Sequence, residues 1–224
     1  MQAAYAKMGE SLLASGRAIV YSLCQYGMLN VGEWGAKVSG NLWRTTGDIS
    51  DRWQSMSNIG FDQQIGREKF AATGHWNDPD MLEIGNGGMS DTEYRTHMSL
   101  WCLLAAPLLS GNDLRDMKPG ILEILTNKEA IAIDQDKLGK QGVRVAKNGD
   151  LEVWARPLAD GGHAVGLFNR GEAAAKVTAR WSDIGIDGAH AVRDLWEHAD
   201  KGMVADEYTA EVPSHGVVLI KIAK

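Results

Sequence analysis

Asn41-Leu42-Trp43-Arg44-Thr45-Thr46-Gly47-Asp48 reads as a short strand that runs into a glycine-marked turn ending on an acid. Roughly thirty residues later, about one β-plus-α unit along the chain, Trp76-Asn77-Asp78-Pro79-Asp80-Met81 again sets acids in a turn beside an aromatic ring. Pro79 forbids a helix interior and restricts Asp78, so this second segment reads as a loop. That spacing puts the two acids at the ends of neighbouring strands of a parallel barrel. Carboxylates beside tryptophan faces suit sugar chemistry. The ring stacks on the C–H side of a pyranose, and the acid moves protons or binds hydroxyls.

Around these turns the first 140 residues alternate helical and strand patterns. Gln2 onward is a helix body with Tyr5, Met8 and Leu12 on one face, ending near Gly16, and no cap residue opens it. Ala18–Cys24 is a β-prone run closed by the Gln25-Tyr26-Gly27 turn, and a Gly/Trp-rich helical segment continues to about Ser39. Asp51 to about Ala72 is expected to be helical. Ser90-Asp91-Thr92-Glu93 is a capping box opening a helix with Tyr94, Met98, Trp101 and Ala105 in phase, stopped by Pro107. Leu108–Gly111 reads as a short buried strand, and Lys118–Asp134 as one or two helices. Repeated strand–helix units imply a parallel sheet with helices outside it.

Beyond Gly139 the pattern changes. Strand candidates at 151–155, 164–168, 176–181, 191–196, 208–212 and 217–222 are separated by turns such as Asp160-Gly161-Gly162, which predicts an antiparallel sandwich. The expected division is therefore residues 1–140 and 141–224, with no internal repeat.

Composition excludes several function classes. The chain has 224 residues, 44% hydrophobic and 23% charged, with net charge −6. The acidic balance and the lack of a Lys/Arg cluster argue against nucleic acid. No run of about 18 apolar residues is present to cross a membrane. Two cysteines, Cys24 and Cys102, are too few for a disulfide scaffold and have no metal-type spacing. The six histidines show no zinc-motif pair, and the plain expectation is that they are solvated or singly hydrogen-bonded. Cys102 is expected to act as a small buried hydrophobe, with a Cys24–Cys102 bond as the alternative.

Ser22-Leu23-Cys24, Trp43–Ile49, Trp76–Leu82, Glu93-Tyr94-Arg95-Thr96-His97 and Ile133-Asp134-Gln135-Asp136, in this order and spacing, resemble the retaining α-galactosidases of glycoside hydrolase family 27. The resemblance covers essentially the whole chain. It implies the C-terminal half of a (β/α)8 barrel followed by an antiparallel β-sandwich. Asp48 matches the family's general acid/base, and Arg44 a residue that binds sugar and orients that acid. Asp80 resembles a ligand of galactose hydroxyls, Met81 lines the same pocket, and Cys24, Gln25 and Tyr26 match the sugar-contacting loop after strand five. Asp78 is the candidate for a structural role in its turn, and Trp76 for support.

The family's nucleophile is an Asp in a Lys-Tyr-Asp segment ending strand four, and this chain has no counterpart. Its disulfide partner for Cys24 would lie in the same missing region, so Cys24 is expected to be a free thiol. Gln25 and Met28 are bulky where N-acetylgalactosaminidases carry small residues, which favours galactose. Gln25 departs from the family's common Glu, and Tyr26 from its Trp.

The expectation is hydrolysis of terminal α-galactosyl residues of oligosaccharides or polysaccharides, with no metal or organic cofactor, and no activity from this chain alone. Alternatives are an inactive fragment, a half-barrel that pairs with a second copy or with a separately encoded first half, a galactose-binding protein, and N-acetylgalactosaminidase or β-L-arabinopyranosidase activity. A chain that starts inside a helix reads as part of something longer. Relatives of this kind are mostly secreted, periplasmic or lysosomal, and this chain carries no export signal.

Overall fold

A computed structural model describes residues 1–224. The first layer is parallel α/β. Helix α1 (Gln2–Ala14) leads to β1 (Ser22–Leu23), a 3-10 turn at Met28–Asn30, α2 (Val31–Trp34), a second turn at Ala36–Val38, and β2 (Leu42–Arg44). Then follow α3 (Trp53–Ser57), β3 (Trp76–Asp78), α4 (Asp91–Leu104), α5 (Pro119–Leu125) and α6 (Lys128–Asp134). β1, β2 and β3 pair in that order, all parallel, and a parallel bridge from Leu82 to Ser110 continues the sheet.

The second layer is antiparallel: β4 (Val143–Asn148), β5 (Leu151–Pro157), β6 (His163–Asn169), β7 (Ala175–Arg180), the single turn α7 (Trp181–Ile184), β8 (Ala189–Asp194), β9 (Ala199–Ala205), β10 (Glu207–Val212) and β11 (Val217–Ile222). A six-stranded sheet in the order β4-β5-β6-β11-β8-β9 faces the pair β10-β7. Along β5 successive side chains point to opposite faces. Val153 packs into the sandwich core with Val165, Val177, Val212 and Ile220. Trp154 points the other way and joins Phe168 and Leu219 against Met98, Trp101 and Leu103 of α4. The sheet is therefore covered on both faces, and its central strands are largely buried, the charged Glu152 and Arg156 of β5 included.

Helix α4 is the joint between the layers. Ser90 accepts from the Glu93 backbone N–H and the Glu93 carboxylate accepts from the Ser90 N–H, closing the capping box. Every residue from Thr96 to Leu104 is buried, because barrel core lies on one side and sandwich sheet on the other. Arg170, after β6, ties the layers further: it donates to Asp62 through both terminal nitrogens (2.8 and 2.7 Å), to Ser57 (3.1 Å) and to fully buried Glu152 (2.8 Å).

The structure departs from the sequence expectations at several points. Trp76–Asp78 is a strand, not a loop: parallel pairing with Leu42–Arg44 recruits Asn77 and Asp78, two residues of weak β-propensity, behind Trp76, and Pro79 ends the strand. Asp51–Ala72 is not one helix. α3 widens into a π-turn over Asn58–Asp62, and only Glu68–Phe70 is helical beyond it. Gly60 allows that turn to press on Leu100 and Trp101, where a Cβ would come within 2.7 Å of both. Ala18–Cys24 pairs only at Ser22–Leu23, and Leu108–Gly111 only at Ser110, with Leu109 half-exposed rather than buried.

Two strands were not anticipated, β4 and β9. They are the two edges of the six-stranded sheet, where one-sided pairing tolerates polar residues and the Gly202 of β9. Cys24 and Cys102 are both free, one exposed and one buried, so no bond joins them. His97 contradicts the plain histidine expectation. It is wholly buried, neither ring nitrogen has a partner, and burial lowers its pKa to about 3.

Candidate active site

Parallel strands deliver their carboxyl ends to one rim of the sheet. On that rim stand Cys24, Gln25 and Tyr26 after β1, Thr45–Asp48 after β2, and Asp80 and Met81 after β3. The register of β2 on β3 continues past the strands: the Thr45 N–H and hydroxyl both donate to the Asp78 carbonyl (2.8 and 3.1 Å). Trp43, fully buried, donates from Nε1 to Asn77 Oδ1 (2.9 Å), and Asn77 in turn donates to Gln141. The floor under the rim is thus a fixed polar lattice.

Arg44 is the hub. Its Nη2 lies 2.6 Å from Asp80 Oδ2 and 3.1 Å from Asp48 Oδ1. Arg44 and Asp80 side chains are each 10% exposed, whereas Asp48 is 75% exposed. One carboxylate is consumed in a buried pair and the other is offered to solvent beside the same cation. Tyr26 lays its ring 5.4 Å from the guanidinium carbon, a cation–π contact. Its hydroxyl pKa is raised, first by a hydrogen bond to the Cys24 thiol.

Asp80 sits at φ +94°, a conformation an L-residue rarely adopts. Four contacts hold it there. Its N–H donates to Asp78 Oδ1 (2.9 Å), its Oδ1 accepts from the Met81 N–H (2.8 Å), its Oδ2 accepts from the Ile49 N–H (2.8 Å), and its carbonyl accepts from Trp101 Nε1 (2.8 Å). Burial raises the pKa of Asp78, against the opposing pull of that Asp80 N–H and of Arg44.

Of the residues singled out in the sequence, Arg44, Asp48, Asp80 and Tyr26 converge. Gln25 is buried, with its amide nitrogen donating to the Met28 carbonyl. Cys24 is exposed and its carbonyl accepts from Tyr5 (3.4 Å). Met81 is partly exposed on the rim. Trp76 begins β3, so it lies at the opposite end of the strand from Asp80. There it lines a cavity of about 310 Å³ with Leu42, Pro107 and Asp134. The Ile49 N–H and Trp101 escaped sequence reading. A backbone donor has no side-chain signature, and Trp101 looks like any apolar position of α4. No cluster of three or more His, Cys, Asp or Glu side chains that could hold a metal ion forms.

A half-barrel with acids on its carboxyl rim, backed by a β-sandwich, defines the class as a (β/α)8 glycoside-hydrolase fold. Residues 1–136 match the family described as alpha galactosidase A, and residues 148–222 the alpha galactosidase C-terminal beta sandwich domain. The chain belongs to the alpha galactosidase A family.

Alpha-galactosidase 2 of Arabidopsis thaliana is 50% identical over 222 residues, covering 98% of this chain and 56% of that protein. The alpha-galactosidase of Cyamopsis tetragonoloba is 51% identical over 94% of this chain and 51% of that protein. Alpha-galactosidase I from Mortierella vinacea superposes with a TM-score of 0.94 at 34% identity, over 99% of this chain and 62% of that one. A family 27 β-L-arabinopyranosidase from Geobacillus stearothermophilus gives 0.92 at 30% identity, over 100% of this chain and 54% of that one. The chain spans about half the length of the curated relatives it matches.

Proposed function

We propose that this chain carries the acid/base half of a retaining α-galactosidase site. The observation that bears the reading is the Arg44 bridge, which holds Asp80 as a buried ligand and leaves Asp48 open to substrate. In this reading Asp48 protonates the departing glycosidic oxygen. It then takes the proton from the water that releases the sugar from a covalent glycosyl-enzyme. Arg44 and Asp80 bind and orient the sugar, with Cys24, Gln25, Tyr26 and Met81 shaping the pocket around a terminal galactosyl unit of an oligosaccharide or polysaccharide. The bulk of Gln25 and Met28 turns away an N-acetyl group.

Double displacement needs a second carboxylate about 5–5.5 Å from the acid. The only other rim carboxylate paired to Arg44 is Asp80, already bound by a cation and two backbone N–H groups. The nucleophile therefore comes from strands outside these residues, and the isolated chain hydrolyses nothing. The same reading divides the protein into folding units 1–140 and 141–224.

The test joins this chain to the leading part of the Arabidopsis relative as one polypeptide. Hydrolysis of an aryl α-galactoside with retained anomeric configuration, lost in Asp48→Asn, is the expected result. Undiminished activity in Asp48→Asn rejects the assignment. An aryl β-L-arabinopyranoside, assayed in parallel, decides between the two activities named for the similar proteins.

A further inference from the structure

Asp48 is 75% exposed, and its side-chain partner is Arg44 Nη2 at 3.1 Å, an atom already held at 2.6 Å by Asp80. A carboxyl so exposed is aimed mainly by the backbone that carries it. That backbone is irregular. Between Arg44, the last residue of β2, and Trp53, the first of α3, no residue belongs to a helix or strand. Its N–H groups turn to side chains instead: Ile49 donates to Asp80 Oδ2 (2.8 Å) and Ser50 to Ser55 Oγ (3.0 Å).

Asp51, three residues beyond the acid, ties the other end of the segment to the rim. Both of its carboxylate oxygens accept from the Tyr94 hydroxyl (3.0 Å each), and Oδ2 also accepts from the Gly88 N–H. Tyr94 is 2% exposed and follows Glu93 at the start of α4. Its hydroxyl accepts from the Gly87 N–H (2.7 Å) while donating to Asp51. Burial raises the pKa of that hydroxyl, the Met89 and Gly87 N–H groups oppose the rise, and Asp51 adds to it. The group therefore stays protonated, and a donor, at neutral pH. Gly88 brings the two segments backbone to backbone, since a Cβ there would overlap the Asp51 carbonyl oxygen.

We propose that Tyr94, acting through Asp51, is a positioning residue for Asp48: this clasp fixes the segment from which the acid reaches the leaving oxygen. The role rests on the acid/base reading of Asp48 and adds what holds that acid in place. A general acid works only within hydrogen-bond reach of the oxygen it protonates, and a misplacement of about 1 Å can cost about a hundredfold in rate. Ile49 and Arg44 hold the segment on the strand side, and Asp51 holds it on the helix side, so slack at Asp51 passes directly to the acid. The Tyr94 ring packs in the apolar core with Ile49, Met89 and Met98. Packing uses the ring alone. The hydroxyl is spent on the acid segment and its neighbouring loop.

Two measurements test the role. In this chain, amide hydrogen exchange compares Ile49, on the acid segment, with Leu100, in the buried body of α4. Tyr94→Phe keeps the ring and removes only the hydroxyl. It should speed exchange at Ile49 about tenfold more than at Leu100, the effect of losing one hydrogen bond to a carboxylate. Equal acceleration at both amides would mean only a general loss of stability, and overturns the proposal.

In the fused polypeptide, kcat/KM is measured on dinitrophenyl and phenyl α-galactosides. Dinitrophenolate departs without a proton, whereas phenolate needs the acid. Tyr94→Phe should lower kcat/KM about tenfold more on the phenyl substrate. Asp51→Ala should show the same bias, and the double variant no more than either single one, because the hydroxyl acts through the carboxylate. Equal losses on the two substrates, or additive losses in the double variant, overturn the proposal. Absence of the bias in Asp48→Asn instead rejects the acid/base reading on which it rests.

Discussion

Arg44 Nη2 lies 2.6 Å from Asp80 Oδ2, both side chains nine-tenths buried, although the two residues are 36 apart in sequence. The pair joins β2 to β3 across the rim and leaves Asp48 as the solvent-facing acid. Removing one member of a buried pair strands the other charge in a poor solvent.

Arg44→Ala should therefore lower stability by about 3–5 kcal/mol, read from urea unfolding of the isolated chain. Arg44→Lys should recover only part of this, because an ammonium is a point charge and lacks the planar fork. A loss below about 1 kcal/mol in the Ala variant, the value of a surface pair, would show that the contact is solvent-screened.

Asp134 predicts a pH dependence. Burial raises its pKa from 3.8 to about 7, against the lowering effects of Gln135 and then of Arg156. The folded protein holds this proton more tightly than the unfolded chain does. The contribution to stability is whole below about pH 4 and is lost as the pH rises toward and through 7. Asp134→Asn should remove that loss and stabilise the chain at pH 8 by as much as about 4 kcal/mol. Parallel stability–pH curves for the two proteins between pH 4 and 8 would contradict the prediction.

Glu93 runs the opposite way. Burial pushes its pKa up, but the Ser90 N–H, His215 and the Ser90 hydroxyl together hold it below its ordinary 4.5. Its contribution is present above that pH and is lost as the pH falls through the lowered folded value. Nδ1 of His215, stacked on Trp53 at 4.1 Å, sits 2.8 Å from the Glu93 carboxylate. Glu93→Gln should cost about 1 kcal/mol at pH 6, and the difference from the unaltered chain should shrink below pH 4 in a thermal-melt series.

The cysteines give a chemical check. Cys24 is exposed, whereas burial drives the Cys102 thiol well above its usual range. Iodoacetamide at pH 8 should add one group to the native chain, on Cys24, and two in guanidinium. The thiolate is the nucleophile, and Cys102 is neither ionised nor accessible. Two adducts under native conditions would mean that α4 opens.

Legibility followed locality. The Ser90–Glu93 box and the α4 stripe depend on neighbours within four residues and were readable. So were the central strands β5, β6 and β11, whose apolar runs reflect burial on both faces. The edges β4 and β9 were not, because a strand paired on one side needs little apolar character. Nor was the strand at Trp76–Asp78, which exists because β2 lies beside it.

The sequence by itself determined the family, the order of parallel and antiparallel layers, and which acids are candidates for the site, because these are written in short motifs and hydrophobic periods. Only the tertiary structure decided how each acid is placed. Asp48 and Asp80 look alike as turn acids beside aromatic residues. Register between parallel strands and the depth of Arg44 bury one in an ion pair and leave the other exposed at the edge of the same cation, and a separation of 36 residues becomes a contact only when the sheet forms.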